Sequence, residues 1–117
     1  MLTRSSLPAR YVQASAESLP LGDESVSVVW SIATVHHWAD LDAGLQEARR
    51  VLEPAGRLVA IERQSPPGAT GLLSHGWTEA QADAFAQQCL EHGFVDARVD
   101  RHQHRRSRKF SVTAIAP

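Results

Sequence analysis

The sequence predicts an α/β fold in which a mostly parallel sheet is covered by helices and ends in an antiparallel hairpin. Three observations predict it. Strand-like and helix-like segments alternate over most of the 117 residues. The predicted strand at 57–62 has a continuous apolar run at 58–61 between a Gly turn and a charged end, which is typical of a parallel strand covered on both faces. The last two strand-like segments, 94–99 and 110–116, follow each other with no helix between them. We expect these elements to form a single domain over 1–117.

The composition is that of an ordinary globular protein, with 43% hydrophobic and 21% charged residues. The formal net charge of −1 argues against a general attraction to nucleic acid or to an anionic membrane. No apolar stretch is long enough for a membrane-spanning helix, and a single cysteine excludes an internal disulfide. These features predict a cytoplasmic protein.

The first half of the chain is predicted to contain two strands and one helix. Residues 10–14 alternate between apolar and polar side chains, which favours a short strand. The run at 26–35 is rich in β-branched residues and is the stronger strand candidate. Asp40 is a candidate N-cap for a helix at 41–52, which ends before Pro54.

A second helix is predicted at 78–92. Thr78 and Gln81 have the spacing of a capping box, and Gly93 stands where a left-handed residue commonly ends a helix. Cys89 falls on the apolar stripe of this helix. We therefore interpret Cys89 as a core residue and not as a nucleophile.

Candidate binding residues follow the ends of the first two predicted strands. Ligands of open parallel sheets collect beyond the carboxyl ends of the strands. The ends here bring together Ser15, Ala16 and Glu17 with the run His36, His37 and Trp38. Adjacent histidines point apart, and no cysteine or carboxylate stands at a zinc-like spacing from them. We therefore predict a ligand site at this edge of the sheet and no metal site.

The block at 16–62 contains several short motifs in a definite order. It starts with an Ala-Glu-x-Leu-Pro turn, continues with a strand ending in His-His, and closes with Glu-x-x-Arg-Val-Leu-x-Pro and a further strand. The matching positions are Ala16, Glu17, Leu19, Pro20, Ser25, Val28, His36, His37, Glu47, Arg50, Val51, Leu52, Pro54 and Gly56. In this order they resemble the small-molecule, methyltransferase-11-like branch of class I S-adenosylmethionine (SAM)-dependent methyltransferases. The resemblance extends over nearly the whole chain, and it implies a Rossmann-like sheet and methyl transfer to a small molecule.

The resemblance also implies where the cofactor lies. In the family, the turn that corresponds to Ser15, Ala16 and Glu17 flanks the adenine of SAM. Ser15 occupies a position that is often acidic in the family, where the acid accepts the adenine amino group. The backbone around Ser31 and Ile32 corresponds to the region beside the methionine arm. These five residues are therefore the candidate cofactor-binding residues.

The two histidines correspond to positions on the substrate side, where His36 or His37 would position or deprotonate the methyl acceptor. The residues alone leave an alternative open, in which Trp38 lies in the core and the histidines only cap the strand end or face solvent. Glu17 has a similar alternative, because it could start a turn after the first strand without binding a ligand.

Part of the family pattern is absent from the sequence. No Gly-x-Gly-x-Gly turn occurs in the 117 residues, although the backbone amides of that turn normally approach the cofactor. Met1 and Leu2 resemble the residues that follow the ribose-binding acid of many relatives. We therefore expect 1–117 to be the C-terminal portion of a methyltransferase fold, with about half of a SAM site and no activity as a lone chain. The alternative function is a non-catalytic, methyltransferase-derived dimer or partner subunit.

Such a truncation has a mechanical consequence. One edge of the strand at 26–35 lacks its neighbour, and an unpaired apolar edge favours association with another strand. Right-handed crossovers place the helices at 41–52 and 78–92 on the same face of the sheet, which leaves the other face uncovered. We predict a homodimer that covers this edge or this face near Val28–Val35.

The segment 101–109 is the strongest local cluster of charge, with five formal positive charges and two histidines. It could contact phosphate or RNA. The alternative is a solvated hairpin balanced by acids elsewhere, and the net charge of −1 favours that alternative. The sequence therefore predicts no nucleic-acid partner.

Overall fold

The computed structural model describes residues 13–35, 38–68 and 76–117. In chain order the elements are β1 (Val26–Ile32), α1 (Leu41–Val51), β2 (Leu52–Arg63), α2 (Glu79–Glu91), β3 (Asp96–His104) and β4 (Ser107–Ile115). The strands form one sheet in the order β1-β2-β4-β3. β1 and β2 are parallel, and β4 is antiparallel to both β2 and β3. The α/β class and the antiparallel C-terminal hairpin are confirmed, and the parallel part of the described sheet is one pair of strands.

Both helices begin at the predicted caps. The Asp40 side chain accepts a hydrogen bond from the Ala43 N–H at 3.1 Å, which satisfies one of the free donors at the start of α1. At α2 the capping box is complete, because the Gln81 N–H donates to Thr78 Oγ1 and the Thr78 N–H donates to Gln81 Oε1. Gly93 follows α2 with a φ of +92°, a left-handed conformation that costs glycine little.

The predicted strand at 26–35 is too long, because β1 ends at Ile32. Ala33 has a φ of +55°, so the chain leaves the extended conformation there. Its N–H still donates to the Ile61 carbonyl at 2.7 Å, which ties the turn to β2. The chain therefore bends at the carboxyl end of β1, where the sequence predicted the ligand site.

β2 is longer than predicted, because it begins at Leu52 and not at residue 57. Its register against β1 shifts between Val26 and Val28, and Ala55 within the shift has a φ of +64°. The segment at 54–56, which contains Pro54 and Gly56 and was expected to separate the helix from the strand, is instead an irregular part of β2. A β-bulge accommodates such extra residues without ending the ladder.

Two other predicted boundaries differ from the structure. Of the predicted strand at 10–14, residues 10–12 lie outside the described residues, and residues 13 and 14 have no regular structure. The predicted strands at 94–99 and 110–116 start two residues too early and end one residue too late, respectively, and they are otherwise parts of longer strands, since the β3–β4 ladder continues to the pair His104 and Ser107. The connection is therefore a two-residue turn.

The core lies between the helices and one face of the sheet. Its most deeply buried side chains, each at most 2% exposed, come from both helices and from β2 and β4: Leu45, Ala48, Ala82, Phe85, Cys89, Leu52, Leu58, Ala60, Phe110, Val112 and Ala114. Fully burying a large apolar side chain contributes about 1.5–3 kcal/mol. Because both helices pack into this one cluster, the prediction that they share a face is confirmed.

The other face of the sheet carries exposed apolar side chains. Trp30 is 64% exposed and Ile32 is 58% exposed, although both lie within β1. Strand alternation places them on the side opposite Val29 and Ser31, which face the helices. Among the residues that the structure describes, β1 pairs with β2 alone, so its outer edge has no neighbour.

Candidate functional site at the carboxyl end of the first strand

A cleft of about 360 Å³ lies between the segment at 14–19, the end of β1 and the first turns of α1. Its lining residues are Ala14, Ala16, Leu19, Val29, Trp30, Ser31, Thr34, Trp38, Gly44 and Ala48. Small-molecule sites commonly have volumes of about 300–1,000 Å³ and mostly apolar walls with a few polar groups. The cleft has this character, and it lies at the strand end where ligands of α/β sheets collect.

The wall of the cleft that α1 supplies depends on Gly44. A Cβ atom at this position would lie only 2.5 Å from Trp38 Cε3 and 2.8 Å from Cζ3. The absence of a side chain at residue 44 therefore lets the indole ring lie against the helix. The result is a flat aromatic surface beside the small side chains of Ala16 and Ala48.

The polar groups of the cleft come from the turn after β1. Ser31 Oγ and Thr34 Oγ1 are 2.7 Å apart and share a hydrogen bond. Ser31 is only 6% exposed, whereas Thr34 is exposed. The left-handed Ala33 between them turns the chain so that the two hydroxyls meet. Each hydroxyl retains acceptor capacity for a ligand, because a hydroxyl oxygen has two lone pairs.

The segment that forms the opposite wall is held by two charged residues of α1. Glu47 accepts a hydrogen bond from the Leu19 N–H at 2.7 Å and another from Arg50 Nε at 2.7 Å. Arg50 in turn donates to the Leu19 carbonyl, to the Leu21 carbonyl at 2.8 Å and to the Asp23 carboxylate at 2.9 Å. We call Glu47 and Arg50 the α1 clamp. Hydrogen bonds from Arg50 and from the Leu19 backbone lower the pKa of Glu47 to about 2.

Glu17 has a structural contact of its own. Its Oε1 accepts the Asp40 N–H at 2.9 Å, so its carboxylate joins the 15–18 turn to the start of α1. This backbone hydrogen bond is the main reason that the pKa of Glu17 lies below its usual range. The carboxylate also stands near the positive end of the helix dipole, which favours its charged form.

The five candidate cofactor-binding residues do not all reach the cleft. Ala16 and Ser31 line it. Ser15 is exposed and forms an isolated bridge with Ser18, while Glu17 contacts the helix start. The side chain of Ile32 lies on the exposed face of the sheet.

The candidate catalytic histidines, His36 and His37, lie outside the described residues. The residues on either side of them are described. Trp38 lines the cleft, and its N–H donates to the Val35 carbonyl at 3.0 Å. The histidine pair thus directly precedes a cleft residue in the sequence.

Sequence reasoning placed Trp38 at this edge of the sheet but missed two other residues that shape the cleft, namely Thr34 and Gly44. A glycine inside an otherwise amphipathic helix was a usable signal, because glycine is unfavourable there unless something packs closely against it. The side chain that packs against it was not evident from helical spacing.

A second hollow, of about 390 Å³, lies near the start of β2 and includes Asp23, Arg49, Arg50 and His92 in its lining. It is far from the strand ends that bind ligands in open sheets. Arg50 is already bound to Glu47 and Asp23, and the His92 ring is 2.9 Å from Asp42. We therefore assign the ligand site to the cleft.

The remaining reactive groups give no second site. Cys89 is fully buried, and burial raises the pKa of its thiol to about 12, so its interpretation as a core residue is confirmed. Within 13–35, 38–68 and 76–117, no three His, Cys, Asp or Glu side chains cluster as metal ligands would. No helix in that part of the chain is long and apolar enough to cross a membrane.

Comparison with protein families identifies the chain. The model of the family described as "Methyltransferase domain" matches residues 2–60, about half of the sequence. The chain belongs to the class I SAM-dependent methyltransferases.

Individual relatives agree with this assignment. A malonyl-[acyl-carrier protein] O-methyltransferase of Dechloromonas aromatica is 34% identical over 104 residues, which are 89% of this chain and 31% of the relative. The curated relatives are much longer, and this chain spans about a quarter to a third of their length.

Solved structures agree in fold. A SAM-dependent methyltransferase from Aquifex aeolicus superposes with a TM-score of 0.70 at 18% identity, covering 92% of this chain and 55% of that one. A Haloferax volcanii methyltransferase was solved in complex with the Trm112 methyltransferase activator. It has a TM-score of 0.68 at 17% identity, and the match covers 89% of this chain and 60% of that one. These structures have the Rossmann-like methyltransferase fold.

Proposed function

We propose that this chain supplies one wall of a SAM site and the acceptor side of a small-molecule methyltransferase. The observation that carries the proposal is the cleft at the carboxyl end of β1, which has an aromatic wall and two hydroxyls. The 117 residues contain no Gly-x-Gly-x-Gly turn. We therefore infer that they bind SAM weakly and do not turn it over when no other polypeptide completes the site.

The residues of the cleft fit the adenine end of SAM. A planar, largely apolar ring can lie against the Trp38 indole, where Ala16, Gly44 and Ala48 leave space. The hydroxyls of Ser31 and Thr34 lie at the strand end that corresponds to the methionine arm, where they can accept hydrogen bonds from its ammonium group. We propose that Ser15 and Glu17 border this site and that the backbone at Ile32 continues it toward the methionine arm.

When bound, SAM supplies an electrophilic methyl group on a sulfonium, so the protein's task is to position the acceptor and receive its proton. We propose that His36 or His37 receives that proton. Support comes from their place in the chain, directly between the end of β1 and the cleft residue Trp38. Histidine is the side chain whose intrinsic pKa lies closest to neutral pH, which makes it the commonest group for proton transfer in enzymes.

The three tryptophans of the chain provide a test of the cleft. We would titrate the ¹⁵N-labelled protein with S-adenosylhomocysteine, the demethylated form of SAM, up to about 1 mM, the range of weak binding. The indole N–H signal of Trp38 is expected to shift. The signal of Trp77 serves as an internal control, because that ring is 6% exposed and packs on Phe85 with ring centroids 4.9 Å apart.

A shift at Trp38 without one at Trp77 supports the cofactor site, and so do new shifts at Ser31 and Thr34. No shift at about 1 mM ligand contradicts the proposal and favours a methyltransferase-derived partner subunit. A shift of the Trp77 indole signal without a shift of the Trp38 signal also contradicts the proposal.

We also propose that two copies of the chain associate through the exposed face and edge of β1, near Val28–Val35. Support comes from the 64% exposure of Trp30, the 58% exposure of Ile32 and the absence of a strand beside the outer edge of β1 within the described ranges. A two-fold axis near β1 would place the outer edges of the two β1 strands side by side and cover the Trp30 side chain of each copy. A cytoplasmic location is part of this proposal, since the single buried cysteine needs no oxidising compartment.

Light scattering on a size-exclusion column tests the homodimer. At about 100 µM, wild-type protein is expected to have twice the chain mass of 12.8 kDa, and Trp30→Lys is expected to have the mass of one chain. Val95→Lys is the matched control, because Val95 is 63% exposed but lies outside β1. A monomeric wild type, or equal dissociation by both variants, contradicts an interface at β1.

A further inference from the structure

One side of the cleft opens at the outer edge of β1. Trp30 lines the cleft and is also 64% exposed, and within the described ranges no strand lies beside β1 on that side. The segment at 14–19 and the helix α1 supply the other walls. A small-molecule site normally encloses most of its ligand. A strand beside the outer edge of β1 would therefore supply the wall that a single chain lacks.

The outer edge of β1 suits a second copy of the same strand. Its sequence, VSVVWSI, contains no charged residue and no proline, the features that commonly protect an edge from pairing. Two such edges pair antiparallel about a two-fold axis, and all seven residues stay paired when the axis lies at Val29. In this register Trp30 lies opposite the partner's Val28. An aromatic and a β-branched side chain form a stabilising cross-strand pair.

The charges at the two ends of β1 also favour antiparallel pairing of two copies. In the sequence, Asp23 and Glu24 precede the strand. The histidine pair at 36 and 37 follows it. Antiparallel pairing places the acidic end of one copy beside the histidine end of the other, and these ends attract each other when a histidine is protonated. A parallel copy would place acids beside acids.

The backbone of Glu24 is fixed, and its carboxylate is available. Its N–H donates to the Arg50 carbonyl at 2.8 Å, and the next N–H, that of Ser25, donates to the Val51 carbonyl at 2.8 Å. The Glu24 side chain is exposed, and no hydrogen bond or ion pair between described residues involves its carboxylate. Asp23 differs, because its carboxylate is bound by Arg50 at 2.9 Å. Glu24 is therefore the acid of this turn that can contact another molecule.

Within its own chain, Glu24 is remote from the cleft. β1 has seven residues, so its two ends are about 20 Å apart at about 3.3 Å per residue. Across the two-fold axis, positions equally far from Val29 in opposite directions lie side by side. Glu24 and Thr34 are each five positions from Val29. The partner's Glu24 is therefore level with Thr34, across a strand spacing of about 4.8 Å that a glutamate side chain can span.

We propose that Glu24 of the partner subunit completes the open side of the cleft and favours SAM over S-adenosylhomocysteine. This inference rests on the proposed cofactor site and on the proposed homodimer. The Thr34 hydroxyl lies at the end of the cleft that corresponds to the methionine arm, which includes the sulfur. The sulfur is a positively charged sulfonium in SAM and a neutral thioether in S-adenosylhomocysteine. A carboxylate beside Thr34 therefore attracts the methyl donor more strongly than its product.

Calorimetric titration of the dimeric protein with each compound tests the charge preference. Glu24→Gln removes the charge and keeps the length of the side chain. We expect it to weaken SAM about fivefold and S-adenosylhomocysteine less than twofold. Glu91→Gln is the matched control, because it removes an exposed glutamate charge at the end of α2, and we expect it to change neither affinity more than about twofold.

Mixed dimers show which copy supplies the charge. ¹⁵N-labelled Glu24→Gln is refolded together with an excess of unlabelled wild type, about tenfold, so that most labelled clefts have a wild-type partner. The Trp38 indole signal of the labelled chain is then expected to titrate with the wild-type affinity for SAM. In the reverse mixture, labelled wild type with excess unlabelled Glu24→Gln, we expect the labelled clefts to have the weaker affinity of the variant.

The possible failures are distinguishable. Equal weakening of both compounds by Glu24→Gln, or no weakening, overturns this inference while the cofactor site and the homodimer stand. Labelled clefts that follow their own chain's residue 24 in the mixed dimers also overturn it. A monomeric wild type refutes the homodimer and this inference with it. A dimer whose Trp38 signal responds to neither compound refutes the cofactor site, and the inference then fails as well.

Discussion

Gly44→Ala is expected to weaken the binding of S-adenosylhomocysteine about tenfold or more while the protein stays folded. The new methyl group would lie 2.5 Å from Trp38 Cε3, well inside van der Waals contact. Because the helix backbone is held by its own hydrogen bonds, the Trp38 ring must move, and the space beside it is the cleft. The measurement is the ligand concentration at which the Ser31 and Thr34 amide signals reach half of their shift.

We expect Gly44→Ala to reduce ligand affinity more than it reduces the free energy of unfolding. Alanine is about 1 kcal/mol more favourable than glycine within a helix, which offsets part of the steric cost. Gly22→Ala is the matched control, since a Cβ atom at Gly22 meets nothing within 4 Å. Unchanged ligand affinity in Gly44→Ala would show that the Trp38 wall takes no part in binding.

Local rules were sufficient for most of the fold. The caps at Asp40 and Thr78 and the stop at Gly93 could be recognised because each depends on residues within one helical turn. The end of β1 was predicted too late, because Val35 and its neighbours have strand-like composition. The actual end depends on the left-handed Ala33, a conformation that no local rule assigns to alanine.

The candidate site was less predictable, because its shape depends on contacts between distant segments. Ala16 and Ser31 were recognised through the family resemblance and line the cleft. Trp38 precedes the Asp40 cap by two residues, and its contact with Gly44 depends on how the indole ring turns back over the start of α1, which helical spacing does not give. Glu17 belonged to the right motif, but its carboxylate contacts the backbone of Asp40, 23 residues further along the chain. Periodicity and composition carry no information about such a pairing.

The second large effect is expected from the α1 clamp. Glu47→Gln removes the carboxylate that accepts from the Leu19 N–H and from Arg50, so the segment at 15–23 loses a charge-assisted hydrogen bond and Arg50 loses the ion pair that orients its guanidinium. Arg50 keeps only its contacts to two carbonyls and Asp23. We expect lower stability at neutral pH and about tenfold weaker binding of S-adenosylhomocysteine, since this segment forms one wall of the cleft.

The pH dependence of unfolding separates this effect from a general loss of packing. The folded-state pKa of Glu47 is about 2, below the usual value of 4.5. A lowered carboxyl pKa contributes stability that is fully present above pH 4.5 and disappears as the pH falls toward 2. Urea denaturation of the wild type should therefore show a loss of stability in this window that Glu47→Gln lacks. The two proteins should become nearly equal at the acid end.

Glu91→Gln provides the matched control for the clamp, because Glu91 is exposed on the last turn of α2. It makes the same chemical change in a helix without touching the 15–23 segment, and we expect it to follow the wild-type pH profile. Should Glu47→Gln also follow that profile, the Glu47 carboxylate does not hold the segment in solution. The position of the cleft wall would then have to depend on Glu17 and its hydrogen bond to the start of α1.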